Sequence, residues 1–226
     1  MRGSRRGEPR VLRVDEAQAY YDRFGAKQDT QGFYEDPPLA DLMAHADFEH
    51  AQSVFEFGCG TGKLAARLLA DHLPGSATYT GCDVSPIMVG LAADRLAPYA
   101  DRARVTRSDG AVRIPAADRS VDRVVSNYVL DLLSEDETRL FFAEAHRALA
   151  PRGMLCLVSL TGGVNVPSRI VASVWGAVFR ARPSLLGGCR PIRLAPHLAP
   201  DRWTLEYRRV LTPFGVPSEV VVARPA

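Results

Sequence analysis

The sequence predicts one doubly wound α/β domain, in which a mostly parallel sheet has helices on both faces. The chain has 226 residues, a length that suits a single domain of this class. Its hydrophobic fraction of 46% is that of an ordinary globular protein with a core able to bury a sheet. Short apolar segments alternate with helix-like segments through the middle of the chain, the pattern of parallel strands linked by helices.

The parallel part of the sheet is predicted from five strand-like segments. They lie at 53–57, 78–82, 104–107, 122–126 and 154–160. The last segment is apolar throughout, which is typical of a strand that is buried on both faces. It therefore belongs near the centre of the sheet.

Helices are predicted between these strands. Residues 63–72 have leucines at helical spacing, and residues 86–96 follow Ser85, which can cap their first turn. Residues 135–150 follow Ser134, with acids in the first turn and basic groups near the end. Both charge biases match the helix dipole, so this last helix is strongly predicted.

The end of the chain predicts a change of direction in the sheet. Residues 203–211 and 219–223 read as two strands joined by a short turn through Pro213 and Gly215. A C-terminal antiparallel hairpin of this kind makes the predicted sheet mixed and brings it to seven strands.

Three segments lie outside this alternation. Residues 1–14 are rich in arginine and are predicted to be a disordered basic tail, so that the folded domain spans 15–226. It opens with a helix at 15–24 and a loop containing Gly32, Pro37 and Pro38. Residues 161–200 form an insertion too long for a bare connection, and we expect it to be a lid over the site.

Composition excludes several functions. A net charge of +2 does not indicate a nucleic-acid surface. The cysteines form no CxxC pair and have no clustered histidines, so no metal site is expected. No signal peptide or membrane-spanning run is visible, and a cytoplasmic location is the expectation. The cysteines are Cys59, Cys82, Cys156 and Cys189.

The most informative motif is a glycine-rich turn between the first strand and the first helix after it. It reads Glu-Phe-Gly-Cys-Gly-Thr-Gly, with glycines at 58, 60 and 62 and an acid at Glu56. Glycines let the backbone turn tightly and approach a ligand closely. The spacing departs from the dinucleotide pattern G-x-G-x-x-G, and no G-K-[ST] sequence makes it a Walker loop.

Two further acids follow the next strands. Asp83 ends the second strand, roughly 20 residues after the glycine turn, where an acid can accept hydrogen bonds from ribose hydroxyls. Asp109 follows the third strand and can accept from an exocyclic adenine amine. A nucleoside with an amino-acid end is therefore the predicted ligand of this sheet edge.

This set of motifs resembles the class I S-adenosylmethionine-dependent methyltransferases, which have a Rossmann-like fold. The resemblance covers about residues 50–160, through VFEFGCGTG, GCDVSPIMV, RSDGAVRIP and RALAPRGMLCLVSL. It implies S-adenosylmethionine as the cofactor and S-adenosylhomocysteine as its product. The implied cofactor-binding residues are Glu56, Gly58, Cys59, Gly60, Gly62, Asp83, Val84, Met88, Asp109, Gly110 and Asn127.

The acceptor of the methyl group is predicted mainly by exclusion. The fourth strand ends in Ser126–Asn127–Tyr128 and lacks the N/D-P-P-Y signature that the resemblance would connect with nucleobase or glutamine nitrogens. A small-molecule substrate is favoured, and the chain loosely resembles the branch of the family that includes the ubiquinone and menaquinone methyltransferases. The protein is expected to be a monomer or a homodimer. A protein or RNA methyltransferase, and a cofactor-binding protein without methyl transfer, remain the alternatives.

Six residues are substrate candidates. Some follow the cofactor strand, some are N-terminal aromatics, and the others come from the insertion, where Trp175 lies on an apolar helical stripe and His197 is a possible base. No catalytic residue is assigned. The candidates are Tyr21, Tyr34, Tyr128, Asp131, Trp175 and His197.

Overall fold

A computed structural model describes residues 11–226, and its centre is the predicted seven-stranded mixed sheet. The strand order is β3-β2-β1-β4-β5-β7-β6, with β1 to β5 parallel and β7 antiparallel to both β5 and β6. The strands are β1 (Ser53–Phe57), β2 (Thr78–Asp83), β3 (Ala103–Arg107), β4 (Val121–Asn127), β5 (Leu149–Leu160), β6 (Trp203–Leu211) and β7 (Ser218–Pro225).

Within residues 11–226, six α-helices surround the sheet. Ser85 and Ser134 cap the helices that follow them, as predicted, by accepting from the backbone N–H of Met88 and Glu137. The helix predicted at 63–72 continues beyond Arg67 as a π-helical turn at Leu68–His72. The helices are α1 (Val14–Phe24), α2 (Gly32–His45), α3 (Lys63–Arg67), α4 (Pro86–Leu96), α5 (Glu135–Ala148) and α6 (Val166–Ala181).

Helix α2 corrects the prediction of a loop around Gly32, Pro37 and Pro38. Both prolines lie inside the helix, where they cannot donate backbone hydrogen bonds. The helix nevertheless buries Leu39 and Leu42 against the sheet, and this tertiary packing offsets the cost of the prolines.

The core has one apolar layer on each face of the sheet. Phe48, Leu68 and Tyr79 belong to one layer, and Phe141 and Leu155 to the other. Their burial fixes the sheet, so the residues at the carboxyl ends of β1, β2 and β4 are held in constant relative positions.

The predicted tail needs a partial correction. Its first ten residues lie outside the described residues. Leu12, however, packs against Gly188, and Val14 begins α1 and packs against Gly110. The folded part therefore includes residues from the end of the predicted tail. Among the helices of residues 11–226, none is both long and apolar enough to cross a bilayer.

Candidate functional site

A cavity opens at the carboxyl ends of β1, β2 and β4. In the sheet order, β2 and β3 lie on one side of β1, whereas β4 and β5 lie on the other. The connections therefore lead to opposite sides of β1 at this point. Ligands of doubly wound folds bind at such a switch point. Of the predicted cofactor residues, those that line the cavity are Glu56, Gly58, Cys59, Gly60, Asp83, Val84, Met88, Gly110 and Asn127.

The glycine turn forms the floor of this cavity. Gly58 and Gly60 have φ angles of 76° and 52°, in the left-handed region that glycine adopts without strain. A Cβ on Gly58 would lie 2.3 Å from Val129, whereas a Cβ on Gly60 would meet no protein atom within 4 Å. Gly58 is thus required by packing, and Gly60 exposes its backbone to the cavity.

Asp83 supports this turn from the end of β2. Its Oδ2 accepts a hydrogen bond from the Gly60 N–H at 3.0 Å, and its Oδ1 accepts from the Ser85 N–H at 2.9 Å. Burial raises the pKa of Asp83, while these backbone donors oppose the shift. Each carboxylate oxygen keeps a further lone pair for a ligand.

The buried Glu56 and the half-buried Asn127 lie together at the other end of the turn. Tyr79 donates from its hydroxyl to Glu56 Oε2 at 2.6 Å, and the Asn127 amide nitrogen lies 3.4 Å from Oε1. Burial raises the pKa of Glu56 to about 7. Asn127 Oδ1 is buried and accepts no hydrogen bond within residues 11–226. This end therefore suits a ligand group that donates hydrogen bonds and carries positive charge.

Two predicted cofactor residues lie off the cavity. A Cβ on Gly62 would lie 3.0 Å from Ala92, so this glycine allows the turn to approach α4. Asp109 is exposed, and its Oδ1 accepts from the N–H of Ala111 within its own turn. The cavity is lined in this loop by Ser108 and Gly110, and the contact through the Asp109 carboxylate stays a prediction.

The N-terminal part of the chain, from Leu12 to Leu39, lines one side of the cavity, and we call it the cover. Leu12, Val14, Ala17 and Tyr21 line the cavity, together with residues of the short 3₁₀ segment Gly25–Gln31 and of α2. No residue of the segment 161–200 lines it. The prediction that this insertion is the lid is therefore corrected in favour of α1 and the residues that follow it.

Polar contacts hold this cover on the glycine turn. Asp29 accepts from the Thr61 hydroxyl at 2.7 Å and pairs with Arg95 at 2.6 Å. Asp22 of α1 accepts from the Ser85 hydroxyl at 2.6 Å. The cover is therefore attached to the elements that carry the site.

The insertion packs behind the cover rather than over the cavity. Gly187 lies against the Tyr20 ring, where a Cβ would come within 2.6 Å of it. Trp175 donates from its indole N–H to the Cys189 carbonyl at 3.0 Å, and its side chain packs in the cluster that contains Tyr34 and Tyr128. Trp175 thus supports the aromatic wall from outside.

The predicted substrate residues divide into two groups. Tyr21 and Tyr128 line the cavity, and the Tyr34 ring packs edge-on against Tyr128 at 5.9 Å between ring centres. Asp131 does not line the cavity; it is fully buried, and burial raises its pKa to about 7. His197 stacks on Phe142 of α5 at 5.1 Å, on the other face of the sheet, which corrects its predicted role as a substrate base.

Sequence reasoning missed Glu35 and Gln28, two polar residues of the cavity wall. Glu35 Oε1 accepts from the Gln28 amide at 3.1 Å, and burial raises the pKa of Glu35 to about 7. Both residues lie in the N-terminal segment before β1, where only aromatic residues are predicted to contact a substrate. Glu35 is followed directly by Asp36 in the sequence, so the sequence does not indicate which of the two acids faces the cavity.

Comparison with known proteins identifies the central part of the chain. A family model described as a methyltransferase domain matches residues 54–153. The chain is 28% identical over 116 residues to a carboxy-S-adenosyl-L-methionine synthase from Chromohalobacter salexigens. It is 36% identical over 111 residues to a malonyl-[acyl-carrier protein] O-methyltransferase from Hahella chejuensis.

These similarities are partial. The two alignments cover 51% and 49% of the chain, and only 43% and 37% of the relatives. A geranyl diphosphate C-methyltransferase from Streptomyces coelicolor A3(2) shares the fold with a TM-score of 0.66. That match covers 85% of this chain and 79% of the other at 14% identity, so it is evidence of the fold alone.

Proposed function

We propose that the chain is a class I S-adenosylmethionine-dependent methyltransferase and that it methylates a small molecule. A methyltransferase-domain model matches residues 54–153, and a malonyl-[acyl-carrier protein] O-methyltransferase is 36% identical over 111 residues. S-Adenosylmethionine, the cofactor of the family, supplies a methyl group made electrophilic by its sulfonium sulfur. The protein's task is to orient an acceptor and, where needed, to take up a proton.

We assign the cofactor to the cavity residues by their chemistry. Glu56 and Asn127 accept from the ammonium of the methionyl end, where the buried Asn127 Oδ1 would gain a partner. Asp83 accepts from the ribose hydroxyls with its free lone pairs. Val84 and Met88 give the adenine an apolar contact beside Gly110.

The acceptor occupies the part of the cavity between Tyr21, Glu35 and Tyr128. Glu35 is the proposed proton acceptor, since it lines the cavity, it acts electrostatically on Tyr128, and its pKa of about 7 matches proton transfer near neutral pH. A hydroxyl or amine acceptor would need such a group, whereas a carbon acceptor would not.

The observation that best supports a small-molecule acceptor is that the cavity is covered. Leu12, Val14 and Tyr21 lie over the glycine turn, and Asp29 ties this cover down through Thr61. A protein or RNA acceptor would require this cover to be displaced. A macromolecular acceptor is therefore the second choice.

Methyl transfer with labelled cofactor tests the proposal. The chain is incubated with S-adenosylmethionine labelled in the methyl group and with a small-molecule extract, and products are separated by mass. We expect label in a low-mass product with the wild type and a large loss with Asp83→Ala. Label in added protein or RNA alone would contradict the small-molecule proposal.

One relative's name favours a second candidate function. The similar protein from Chromohalobacter salexigens is a carboxy-S-adenosyl-L-methionine synthase, a name that concerns the cofactor itself. A protein of that kind would bind the cofactor without methylating another molecule. Tight cofactor binding, with the label remaining on a modified cofactor and appearing in no other molecule, would support this candidate.

A further inference from the structure

Helix α6 presents an apolar stripe to solvent. Of its 16 residues, only Ser168 and Phe179 are buried. Val166, Ile170 and Val174 are 69%, 60% and 58% exposed. Residues four apart lie on one side of a helix, so these three side chains form one continuous outward stripe.

The stripe extends onto neighbouring segments. Leu185 is 62% exposed just after α6, and Phe214 is 79% exposed in the turn between β6 and β7. Gly215 of that turn lies against Val171 of α6, and Phe214 contacts the exposed ring of Phe33 at 5.5 Å between ring centres. We call the set Phe33, Val166, Ile170, Val174, Leu185 and Phe214 the apolar face.

The apolar face holds a large share of the chain's exposed apolar groups. Its six members are more than half of the eleven large apolar side chains that residues 11–226 expose. Single exposed apolar residues are ordinary, but a concentration of this kind marks an interaction surface.

The positive charge around the apolar face indicates an anionic partner. Residues 161–200 contain five arginines and no acidic residue, although the whole chain carries only +2. Arg169 and Arg180 of α6 are exposed, and their spacing of about three helical turns places them on one flank of the stripe. Two copies meeting through this face would bring like charges together, whereas an anionic surface would complement it.

We propose that the apolar face docks the protein on the surface of an anionic lipid bilayer. Helix α6 would lie in the plane of the interface, with its aliphatic side chains among the acyl chains and its arginines at the phosphates. Phe214 and Leu185 would extend the contact beyond the helix. This docking is peripheral and independent of the methyl-transfer proposal.

Sedimentation with lipid vesicles tests the docking. The full chain is mixed with vesicles of phosphatidylcholine alone, or of phosphatidylcholine containing phosphatidylglycerol, at low and high salt. We expect sedimentation with the anionic vesicles only, and weakening by salt, because the arginine contribution is screened.

A pair of variants assigns the binding to this face. Ile170→Asp with Val174→Asp should lower the vesicle partition coefficient at least about tenfold, since it places two carboxylates in the apolar contact. Leu140→Asp makes the same change on α5, where Leu140 is 49% exposed, and should bind like the wild type. Melting temperature and S-adenosylhomocysteine binding confirm that each variant is folded.

Three results would overturn the proposal. One is a wild type that does not sediment with either vesicle. Another is equal sedimentation of the wild type and the Ile170→Asp/Val174→Asp variant, which would place lipid binding elsewhere, for example on the N-terminal arginines. The third is a dimer in solution that the same variant dissociates, since this would assign the face to a second copy.

Discussion

Asp83 and Asp109 both follow strands of the sheet, yet only Asp83 faces the cavity. Asp83 is held by two backbone N–H groups at the switch point of the sheet. Asp109 uses its carboxylate within its own exposed turn. The sequence predicts the position of an acid after a strand, but the direction of its side chain depends on the turn, which sequence spacing alone does not specify.

This difference gives a prediction with an internal control. Asp83→Ala should weaken S-adenosylhomocysteine binding by about 1.5–3 kcal/mol, which is one to two decades in the dissociation constant, because hydrogen bonds to a charged group are lost. Asp109→Ala should leave the constant unchanged. Calorimetric titration measures both, and a larger loss with Asp109→Ala would contradict the site.

Glu56 gives a prediction about pH. Its pKa is raised from 4.5 to about 7 in the folded protein, so the folded state holds a proton that the unfolded state releases. The resulting stabilisation is complete below the unfolded value and is lost as the pH rises through about 7. The melting temperature without ligand should therefore fall between about pH 5 and about pH 8.

The variant Glu56→Gln tests the source of this fall. It removes the titrating group while keeping an acceptor for Tyr79, so the melting temperature should depend less on pH. Some dependence should remain, because Glu35 and Asp131 also have raised pKa values. Glu49→Gln, at an exposed side chain, is the control. An identical slope in wild type and Glu56→Gln would refute the assignment.

At the scale of elements, the strands and most helices were predictable, while the cover was not. The strands are short apolar segments between glycine and proline breaks, and their pattern is local. The cover depends on pairs that are far apart in the chain, such as Asp29 with Thr61 and Asp22 with Ser85. The length of the insertion at 161–200 and its position after β5 predict a lid, but neither tells which side of the sheet edge the insertion packs on.

The cover also gives a testable prediction. Asp29→Asn should weaken the ties to Thr61 and Arg95, so bound S-adenosylhomocysteine should dissociate about tenfold faster, as expected for the loss of one charge-assisted interaction. Hydrogen exchange of residues 25–31 should rise as well. Asp15→Asn, at an exposed acid of α1, is the control, and similar dissociation rates in the two variants would contradict a closing role.

At the scale of the whole molecule, the sheet order explains why polar groups from distant strands meet in one cavity. The reversal between β1 and β4 brings Glu56, Asp83 and Asn127 to one edge, although they are up to 71 residues apart. The predicted α/β class, the seven strands and the C-terminal hairpin are confirmed. The acceptor and the proposed small-molecule branch stay predictions, because the N-terminal residues that line the cavity do not by themselves identify a substrate.

The central claim is that this cavity binds S-adenosylmethionine. Titration calorimetry of the full chain with S-adenosylmethionine, S-adenosylhomocysteine and NAD tests it most directly. We predict one site for each sulfur-containing nucleoside and no comparable binding of NAD, because the cavity offers acceptors for an ammonium and a ribose but a glycine turn unlike the dinucleotide pattern. Binding of NAD without binding of either sulfur-containing nucleoside would contradict the account.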